Sequence, residues 1–570
     1  MSPGPVPAAE SVWVADDAEP VLDTTVGSIL RDAAHRSPHT TALVAGTADP
    51  ATRRRWTYAE LLANAEIAAA ALAARFEPSE RVAVVATSIP ESLILTYAAA
   101  LAGVVLVPVN PALRANELRH VLGQSASAGV FIVPEYRGHD LTPTLAELRP
   151  DLPALREVVV FDRWDEFCVT APPSTNVDHV EEEAEREMVE REMVEREMVE
   201  REMVEREMVE RERAVSPDDV AQLVYTSGTT GSPKGALLTH RGMTNAARFG
   251  AMRFGMRPGD VYIQTMPLFH VGGQVVSFQL CQLSATAVLV PAFEPGLVLE
   301  LIESETATLT CGVPTMLLAL VGHPDFARRD LSSLRAVSGG GAVVPAELVA
   351  HVEATLGVQF TVVFGQTEAS GFISQTHLDD SAEDKGATLG IPLPGVEARV
   401  VDPEQATVVR RGEVGELEVR GPNVMAGYHE LPDETVAATR PGGWLRTGDL
   451  VTMDDRGYLH MTGRLKEMIV SGGENIFPVE IENALLDHPD VAQVAVVGVP
   501  DERWGEAAVA VIVPAAPDPA PDPAAFETFL RERMAAFKVP RRFVFVDDLP
   551  RTASGKVQKH VVRDQLVARR

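Results

Sequence analysis

Short apolar runs, separated by glycine, proline and polar residues, recur along most of the chain. Residues 81–85 form one run, and residues 93–109 form a longer one that a glycine and a proline interrupt. The first predicts a buried strand, and the second predicts a buried helix followed by a buried strand better than it predicts a membrane span. Further strands are predicted at 220–224, 261–263, 287–290, 307–310, 335–337 and 360–363. Because helical patterns such as 26–30 and 56–62 alternate with the strands, we expect βαβ units, an α/β fold and a largely parallel sheet.

The C-terminal part of the chain has a strand and helix pattern of its own. Its apolar runs lie at 491–499, 507–513, 525–537 and 542–546. Because 570 residues are too many for one core, we predict two domains, 25–465 and 466–570, joined at a linker near 463–466. Residues 1–24 are acidic and rich in proline, so they are predicted to be disordered and not to form a signal peptide.

A charged repeat interrupts the N-terminal domain. Residues 186–210 are five identical copies of Arg-Glu-Met-Val-Glu, inside a segment, 181–213, with fifteen Glu and seven Arg. Each five-residue step turns a helix by about 500°, so the Met-Val pair drifts around the axis and forms no core face. Glu and Arg spaced four apart still favour an exposed helix. We interpret the segment as a helical insertion that arose by neutral tandem expansion, in preference to a partner-binding arm, because identical copies indicate duplication.

Composition narrows the class of protein. The formal net charge of -31 argues against nucleic acid as a partner. The three cysteines, Cys168, Cys281 and Cys311, are widely spaced and form no CxxC motif, which indicates neither a disulfide framework nor a zinc site. Free thiols, no signal peptide and no membrane span together predict a cytoplasmic protein.

One stretch, 225–235, is dense in glycine and hydroxyl residues: Tyr-Thr-Ser-Gly-Thr-Thr-Gly-Ser-Pro-Lys-Gly. A predicted strand precedes it, and Thr239 is a suitable N-cap for a helix from Arg241. Glycines let the backbone approach an anion, hydroxyl and N–H groups donate to it, and a lysine adds charge, so strand, loop and helix predict a phosphate site. The lysine stands between proline and glycine, which is not a Walker A pattern. These eleven residues resemble the signature loop of the adenylate-forming enzymes, the superfamily of acyl-CoA synthetases, aryl-CoA ligases, luciferases and peptide-synthetase adenylation domains.

Further motifs repeat this resemblance in the order that the family has them. They lie at 266–273, 338–342, 364–368, 443–450, 470–475 and 549–557. The resemblance covers residues from about 25 to 566, without the repeat. It implies a large N-terminal domain of several subdomains with mixed, mostly parallel sheets, and a small, mobile α+β C-terminal domain.

The resemblance also implies an ATP site. Phe364, where the family usually has Tyr, would stack on adenine without the hydroxyl contact, and Thr367 would contact phosphate. Glu368 would hold magnesium, while Asp449 would bind the ribose diol, with Arg464 adding a ribose or phosphate contact. The full predicted ATP-binding set is Thr226, Ser227, Gly228, Thr229, Thr230, Gly231, Lys234, Phe364, Gly365, Gln366, Thr367, Asp449 and Arg464.

Four residues are implied to be catalytic. Lys556 would bridge the carboxylate and the α-phosphate and stabilise the charge that develops there. Lys466 would be the hinge about which the C-terminal domain rotates before the second step. Glu368 would act through the metal, and His270 would gate the acyl pocket. The implied path of the CoA pantetheine is formed by Ser471, Gly472 and Gly473.

The implied acyl pocket is glycine-rich. Its members are Phe269, His270, Val271, Gly272, Gly339, Gly340 and Gly341. Amino-acid-activating relatives tend to have an Asp soon after the aromatic residue, and this chain has none, which favours a substrate without an amine. Small residues leave room for a tail, and burying apolar surface gains about 0.8 kcal/mol per methylene. We therefore predict a medium- or long-chain aliphatic acid, with a cinnamate-like aryl acid as the alternative.

Together these motifs predict an acid–CoA ligase. A carboxylic acid would react with magnesium ATP to give acyl-AMP and pyrophosphate, and CoA would then take the acyl group, so ATP, Mg²⁺ and CoA are expected. The oligomeric state is left open, a homodimer included. Two alternatives remain: an acyl-AMP ligase that loads a separate carrier protein, and a non-catalytic nucleotide-binding or scaffold protein. The retained Lys556, Glu368 and Asp449 disfavour the second.

Overall fold

The structure is a computed structural model. It describes residues 10–15, 19–169, 209–226, 233–342, 344–472, 474–501, 503–516, 522–551 and 557–568. Numbered in chain order, the strands are β1 (Val12–Trp13), β2 (Thr41–Ala45), β3 (Arg55–Thr57), β4 (Arg81–Val85), β5 (Val105–Val109), β6 (Gly129–Ile132), β7 (Glu135–Tyr136), β8 (His139–Asp140), β9 (Glu157–Val160), β10 (Val220–Thr226), β11 (Lys234–Thr239), β12 (Val261–Gln264), β13 (Thr286–Leu289), β14 (Leu309–Gly312), β15 (Ala336–Gly340), β16 (Gln359–Phe364), β17 (Ser374–Gln375), β18 (Ile391–Pro392), β19 (Glu397–Val401), β20 (Gly415–Arg420), β21 (Gly427–Tyr428), β22 (Thr439–Arg440), β23 (Trp444–Met453), β24 (Leu459–Arg464), β25 (Ile469–Ser471), β26 (Glu474–Ile476), β27 (Val491–Asp501), β28 (Gly505–Pro514) and β29 (Arg542–Phe545).

The helices are numbered in the same way. They are α1 (Val26–Arg36), α2 (Tyr58–Ala73), α3 (Pro90–Ala102), α4 (Ala115–Gln124), α5 (Leu141–Leu148), α6 (Trp164–Cys168), α7 (His240–Arg253), α8 (Val271–Leu283), α9 (Pro295–Ser304), α10 (Pro314–Val321), α11 (Ala346–Leu356), α12 (Ala382–Ala387), α13 (Pro432–Ala438), α14 (Pro478–Leu486), α15 (Pro523–Arg531) and α16 (Lys559–Ala568). In the described part of the chain, no helix is long and apolar enough to cross a membrane.

Two large sheets carry the N-terminal domain. One has the order β21-β11-β10-β5-β4-β6-β9, and the other has the order β18-β17-β16-β15-β14-β12-β13-β2-β3. Their central strands pair in parallel, as β4 with β5 and β15 with β16, whereas pairs near the edges, such as β10 with β11, are antiparallel. A third sheet, of β1, β19, β20, β22, β23 and β24, is antiparallel. The predicted α/β fold with mixed, mostly parallel sheets is confirmed.

The segment from α3 to β5 shows how the apolar runs set this architecture. Every residue of α3 after Glu91 is buried, which is why its sequence shows no polar face. Gly103 ends the helix with φ 69°, a left-handed conformation that glycine adopts without strain. The chain then enters β5, whose five residues are all buried between parallel neighbours. The predicted helix followed by a strand is therefore confirmed.

The prediction of disorder for residues 1–24 needs correction. Val12 and Trp13 pair antiparallel with Arg399 and Ala398, so they extend the third sheet at its edge. Farther along, the Leu22 N–H donates to Asn245 Oδ1 at 2.9 Å. This segment is ordered by partners that lie far away in the sequence, which its own proline-rich composition could not show. Residues 1–9 and 16–18 lie outside the described residues.

Most of the charged repeat, 181–208, also lies outside the described residues. Residues 209–214, at its C-terminal end, are helical. There the Arg31 side chain donates to Glu212 at 2.8 and 2.6 Å, and Arg211 donates to the carbonyl of Phe76 at 2.9 Å. The described end of the insertion is thus attached to the first sheet's side of the N-terminal domain.

The C-terminal sheet has a core of its own on each face. It consists of β25 to β29, with β27 and β28 paired over their whole length. On one face α14 and α15 bury Leu485 and Phe526, and on the other α16 buries Val562 and Leu566. Both hydrophobic clusters are built from residues 469–566 alone. A unit that buries its own apolar surface can move as one body, because its packing does not depend on the rest of the chain.

Candidate active site

The glycine loop lies between two strands that pair with each other. β10 and β11 pair antiparallel, with Tyr225 opposite Gly235 and Thr226 opposite Lys234. α7 begins only at His240, capped by Thr239, whose hydroxyl accepts from the Gly242 N–H. The predicted N-cap Thr239 is confirmed, but β11 was not predicted; it intervenes and places the helix start about 17 Å from the loop. The α7 dipole is therefore too far away to act on a group bound at the loop. Residues 227–232 lie outside the described residues.

Helix α4 holds both ends of this loop. The His120 ring packs edge-on against Tyr225, with ring centroids 6.4 Å apart, and its Nε2 donates to Pro233 O at 3.0 Å. The Tyr225 hydroxyl donates to Gln124 Oε1, and Gln124 Nε2 donates to His429 O at 2.7 Å. Sequence reasoning missed this support, since no local pattern relates α4 to a loop more than a hundred residues later.

Lys234 follows the loop and lies between an aromatic ring and a carboxylate. β21 pairs with β11, which places Tyr428 beside Lys234, with Nζ 5.2 Å from the ring centroid. Lys234 Nζ also forms a close ion pair with Glu434 of α13. The hydrogen bond from Lys234 holds the pKa of Glu434 below its ordinary value, and the charge of Lys466 adds to this lowering. The predicted phosphate ligand and the predicted hinge residue therefore share one electrostatic environment.

Glu368 lies on the single-turn helix Thr367–Ala369, directly after β16. Its Oε1 accepts a hydrogen bond of 2.8 Å from the Tyr428 hydroxyl. Burial and, next, the Glu368 charge raise the pKa of Tyr428 well above its ordinary value, so the phenol remains a donor at neutral pH. In the sequence, Tyr428 belongs to a further match to the family, at 415–417, 420–423 and 427–428, for which a structural role is predicted. Only the pairing of β21 with β11 reveals its position beside Glu368.

Asp449 is buried at the pairing of β23 with β24. It is 2% exposed and lies opposite Arg464, whose Nε donates to Asp449 Oδ1 at 2.9 Å. The charge of Asp449 raises the pKa of Arg464 against the effect of burial, and the charge of Glu368 contributes in the same direction. The structure thus brings Asp449, Arg464 and Glu368 into one region.

The residues predicted at the adenine side follow β16. A Cβ on Gly365 would be 2.1 Å from Gly371 O, so the close backbone approach requires glycine. Gln366 Nε2 is buried without a hydrogen-bond partner among the described residues. A buried donor without a partner is costly, so this amide is available to a ligand that reaches it. Phe364 ends β16 next to these two residues and is half-buried.

The predicted acyl pocket is only partly supported. Phe269 and His270 pack together with ring centroids 4.8 Å apart, just before α8. A Cβ on Gly339 would be 2.5 Å from the Phe360 ring, and a Cβ on Gly340 would be 2.4 Å from Val363 O. A Cβ at either position would therefore press against the core or the neighbouring strand, so packing alone requires glycine here. That these glycines leave room for a substrate tail stays a prediction.

At two other glycines of the predicted pocket there is more space for a side chain. A Cβ on Gly272 would have only Met266 Cε near it, at 3.7 Å. A Cβ on Gly341 would meet only Val313 Cγ1, at 3.7 Å, although its φ of 73° disfavours other residues. A Cβ built on Gly371 would lie 3.3 Å from Cγ1 of Val271, which is buried between His270 and Gly272. At the start of α8, Gly272 is therefore the residue of the predicted pocket at which a side chain has the most space.

The predicted hinge, Lys466, follows β24 of the third sheet, and the predicted pantetheine path begins in β25 of the C-terminal sheet. Lys466 is part of a turn in which the Arg464 carbonyl accepts from the N–H groups of Glu467 and Met468, both at 3.0 Å. Ser471 ends β25, and the Gly472 N–H donates to Trp504 O at 2.8 Å. Gly472 has φ 63°, and a Cβ there would be 2.7 Å from the Trp504 ring. Glycine is thus required at this position by a protein contact, before any ligand is considered.

Lys556 and Gly473 lie outside the described residues. The flanks of the Lys556 segment are close together, because Arg551 and Val557 form an antiparallel bridge. The Gln558 N–H also donates to Pro550 O at 2.8 Å.

Comparison with known proteins decides the family. Residues 30–429 match the model of the AMP-binding enzyme family, and residues 480–556 match that of the AMP-binding enzyme C-terminal domain. The chain belongs to the AMP-binding enzymes. It is 36% identical over 573 residues to a putative acyl-CoA synthetase, YngI, of Bacillus subtilis, covering 96% of this chain and 98% of the relative. It is 37% identical over 533 residues to a feruloyl-CoA synthase of Amycolatopsis, covering 93% and 96%.

A solved structure supports the same assignment. ATP-bound MatB from Rhodopseudomonas palustris superimposes on this AMP-binding enzyme with a TM-score of 0.80 at 30% identity, covering 95% of this chain and 99% of MatB. The relatives show that the activity is that of an acyl-CoA synthetase, and this class implies ATP and CoA as substrates. The predicted family and enzyme class are confirmed.

The hydroxyl of Tyr428 provides a test of the site in this AMP-binding enzyme. We expect Tyr428→Phe to lower kcat/KM for ATP about tenfold in pyrophosphate release, because a hydrogen bond to a charged group contributes about 1.5–3 kcal/mol. The matched control is Tyr458→Phe, which removes a similar hydrogen bond, to Asp380 Oδ1 at 2.7 Å, outside the site. Equal losses in the two variants would show that Tyr428 has no special role toward Glu368.

Proposed function

We propose that this enzyme activates a medium- or long-chain fatty acid in two steps and releases AMP and pyrophosphate. The observation that carries the proposal is the convergence of Lys234, Glu368 and Asp449 through Tyr428 and Arg464. A cation, a metal-binding carboxylate and a buried acceptor for hydroxyl groups are the groups that an adenylation site requires. These residues come from different sheets, and no structural role alone explains their convergence.

In the proposed first step the acid attacks the α-phosphorus of ATP. Lys234 and the hydroxyl groups of residues 226–230 bind the phosphates, and Asp449 and Arg464 bind the ribose. Glu368 fits magnesium, because a carboxylate together with phosphate oxygens is the donor set that this ion prefers. Magnesium, when bound, would neutralise phosphate charge and assist departure of pyrophosphate. Lys556 stabilises the charge that develops between the carboxylate and the phosphate.

In the proposed second step the CoA thiol displaces AMP from the acyl group. The C-terminal domain rotates about Lys466 and brings 471–473 to the entrance of the site, where these residues line the pantetheine path. The closed cores of this domain allow it to move as one body. His270 lies beside Phe269 at the start of α8, where its ring would gate access of the thiol to the acyl group.

The acid is proposed from the composition of the pocket. Near the open position Gly272 lie Met266, Phe269 and Val271, and the pocket set contains no carboxylate, lysine or arginine. A second charge on the substrate would be buried without a partner, which is costly. An apolar tail gains about 0.8 kcal/mol per methylene buried. An aryl acid is the second candidate, favoured by the 37% identity to a feruloyl-CoA synthase.

Pyrophosphate release across a panel of acids tests this proposal. The panel contains acetate, hexanoate, decanoate, palmitate and ferulate, each with and without CoA. We expect kcat/KM to rise with chain length up to a maximum at decanoate or beyond, and thioester to form when CoA is present. A maximum at acetate would contradict the fatty acid assignment, and a maximum at ferulate would favour the aryl candidate. A rate of pyrophosphate release that does not depend on CoA would favour an enzyme that loads a separate carrier protein.

Gly272 offers a test of where the tail lies. We expect Gly272→Leu to shorten the preferred acid by about three to four methylenes, because leucine would fill that volume at the start of α8. The control is Ala350→Leu at an exposed position of α11, a helix that carries none of the predicted site residues. The measurement is kcat/KM against chain length. A profile that is unaltered by Gly272→Leu would place the tail elsewhere.

We propose a cytoplasmic location for the enzyme. All three cysteines are free; burial raises the pKa of Cys168 to about 11 and that of Cys281 to about 12, so these thiols stay protonated and unreactive. Recovery of the protein from the cell envelope on fractionation would contradict this location.

A further inference from the structure

Lys559, the first residue of α16, contacts two carboxylates. Its Nζ lies 2.8 Å from Glu467 Oε2 and 2.8 Å from Glu482 Oε1. The side chain is 21% exposed, so water screens these ion pairs only in part. We call these three residues the Lys559 cluster. It joins the turn after β24, helix α14 and helix α16 at one positive charge.

The two carboxylates differ in how firmly they are held. Glu482 is 9% exposed, and its Oε1 also accepts from the Val496 N–H of β27 at 2.7 Å. Glu482 is thereby fixed to the C-terminal sheet. Glu467 directly follows Lys466, and its carboxylate is attached to the C-terminal domain by the hydrogen bond from Lys559.

Lys559 is protonated, and so positively charged, at neutral pH. Burial alone would lower its pKa, but the carboxylates of Glu482 and Glu467 outweigh burial and raise the pKa above its ordinary value. Without the ammonium, two carboxylates that both lie within 3.0 Å of Nζ would repel each other. Glu482 is held by Val496, so Glu467 is the residue that would move away.

The other side of the predicted hinge is fixed in the same manner. Arg464 pairs with buried Asp449 at 2.9 Å, and the Leu465 N–H donates to Gly448 O at 2.9 Å. The backbone between Arg464 and Glu467 is therefore bracketed by one ion pair on the N-terminal domain and by the Lys559 cluster on the C-terminal domain. A hinge works best when the change in φ and ψ is confined to few residues and both flanks are rigid.

We propose that Lys559 is a positioning residue that fixes Glu467 to the body of the C-terminal domain and confines domain rotation to the residues between Arg464 and Glu467. The inference rests on the hinge role proposed above for Lys466. It also concerns both steps of the reaction, because rotation about a slack hinge would misplace the C-terminal domain in either orientation. Lys559 lies three residues after Lys556 in the sequence.

The kinetic test uses variants of the full chain. Lys559→Met and Glu467→Gln should each lower the rates of both half-reactions roughly tenfold: pyrophosphate release with decanoate and thioester formation from decanoyl-AMP. The reason is that misplacing a reacting group by about 1 Å can lower the rate of a reaction about 10²-fold. KM for ATP should stay within about twofold, because ATP is bound by the other domain. Lys559→Arg should restore most of the activity. The double variant should have the same rates as either single variant, because both substitutions remove the same contact between Lys559 and Glu467.

The matched control is Lys538→Met, which breaks an ion pair of 2.6 Å with Glu480 in the same domain but away from the hinge. It should leave both half-reactions within about twofold, as expected for a partly exposed pair. Losses that add in the double variant, or a control as slow as Lys559→Met, would show a general structural role and overturn the proposal.

Distances between the domains separate this inference from the hinge assignment. Spin labels at Ser332→Cys and Ala524→Cys, both exposed, report the domain arrangement in a Cys168→Ser background, where Cys281 and Cys311 are buried. We expect Lys466→Pro to change the distance distribution measured with ATP and MgCl₂, and Lys559→Met to broaden it. A response to Lys466→Pro without broadening by Lys559→Met overturns the positioning role alone. A distribution that Lys466→Pro leaves unchanged overturns the hinge assignment, and the positioning role with it.

Discussion

Replacing Lys556 with alanine should abolish pyrophosphate release while leaving thioester formation from supplied acyl-AMP largely intact. We expect a loss of at least 10²- to 10³-fold in the first half-reaction, about what removal of one preorganised charged donor costs. The segment that carries Lys556 and the segment around Gly472 belong to the same C-terminal domain. If that domain rotates between the two steps, each segment serves one step.

The measurement is single-turnover kinetics of each half-reaction, with decanoate and with decanoyl-AMP. Lys538→Ala is the control, since it removes a lysine of the same domain that pairs with Glu480. Folding of each variant is checked by its melting temperature. Equal losses in both half-reactions, in a variant that melts like the parent, would refute the division of labour between the two segments.

The second large effect is expected at the hinge. Lys466→Pro fixes φ near −65° and disfavours the helical region at Leu465. The turn here is closed by hydrogen bonds from Glu467 and Met468 to the Arg464 carbonyl, so a change in its dihedrals must pass through Lys466. We expect thioester formation to fall about 10²-fold, while pyrophosphate release changes by a few-fold.

Lys466→Ala separates the backbone from the side chain. It removes the charge near Glu434 but leaves rotation free, so thioester formation should fall much less than in Lys466→Pro. If the two variants lose the same activity in the same half-reaction, the side chain and not the backbone rotation is responsible.

Sequence reasoning succeeded where local pattern decides the structure. β4 was predicted with its observed bounds, and α3 followed by β5 came from an apolar run that Gly103 divides. These segments are buried on both faces, so their sequences are continuously apolar, and a glycine stands where the helix ends and the chain turns into the strand. The family and enzyme class also came from contiguous motifs, which do not depend on tertiary contacts.

The errors arose where partners are distant in the sequence. β11 is not predicted, because its existence depends on pairing with β10 and β21. Tyr428 is predicted to be structural, and its hydrogen bond to Glu368 is missed because the two residues lie sixty positions apart in the chain. A two-residue strand such as β1 has no signal of its own and exists through its neighbour β19. The orientation of Gly339 and Gly340 depends on the pleat of β15 and on Phe360 and Val363, which no motif specifies.

The crowded glycines of β15 and of the turn after β16 limit which positions of this enzyme can evolve. A Cβ at Gly339, Gly340 or Gly365 would lie within 2.1–2.5 Å of another atom, and two of those atoms are backbone oxygens. Single substitutions there are expected to destabilise the fold, so selection would remove most such variants before they could alter selectivity. Gly272, at the start of α8, has open space, so relatives of this enzyme with new substrates are expected to diverge there. Evolvability is thus distributed unevenly among the glycines that the motifs contain.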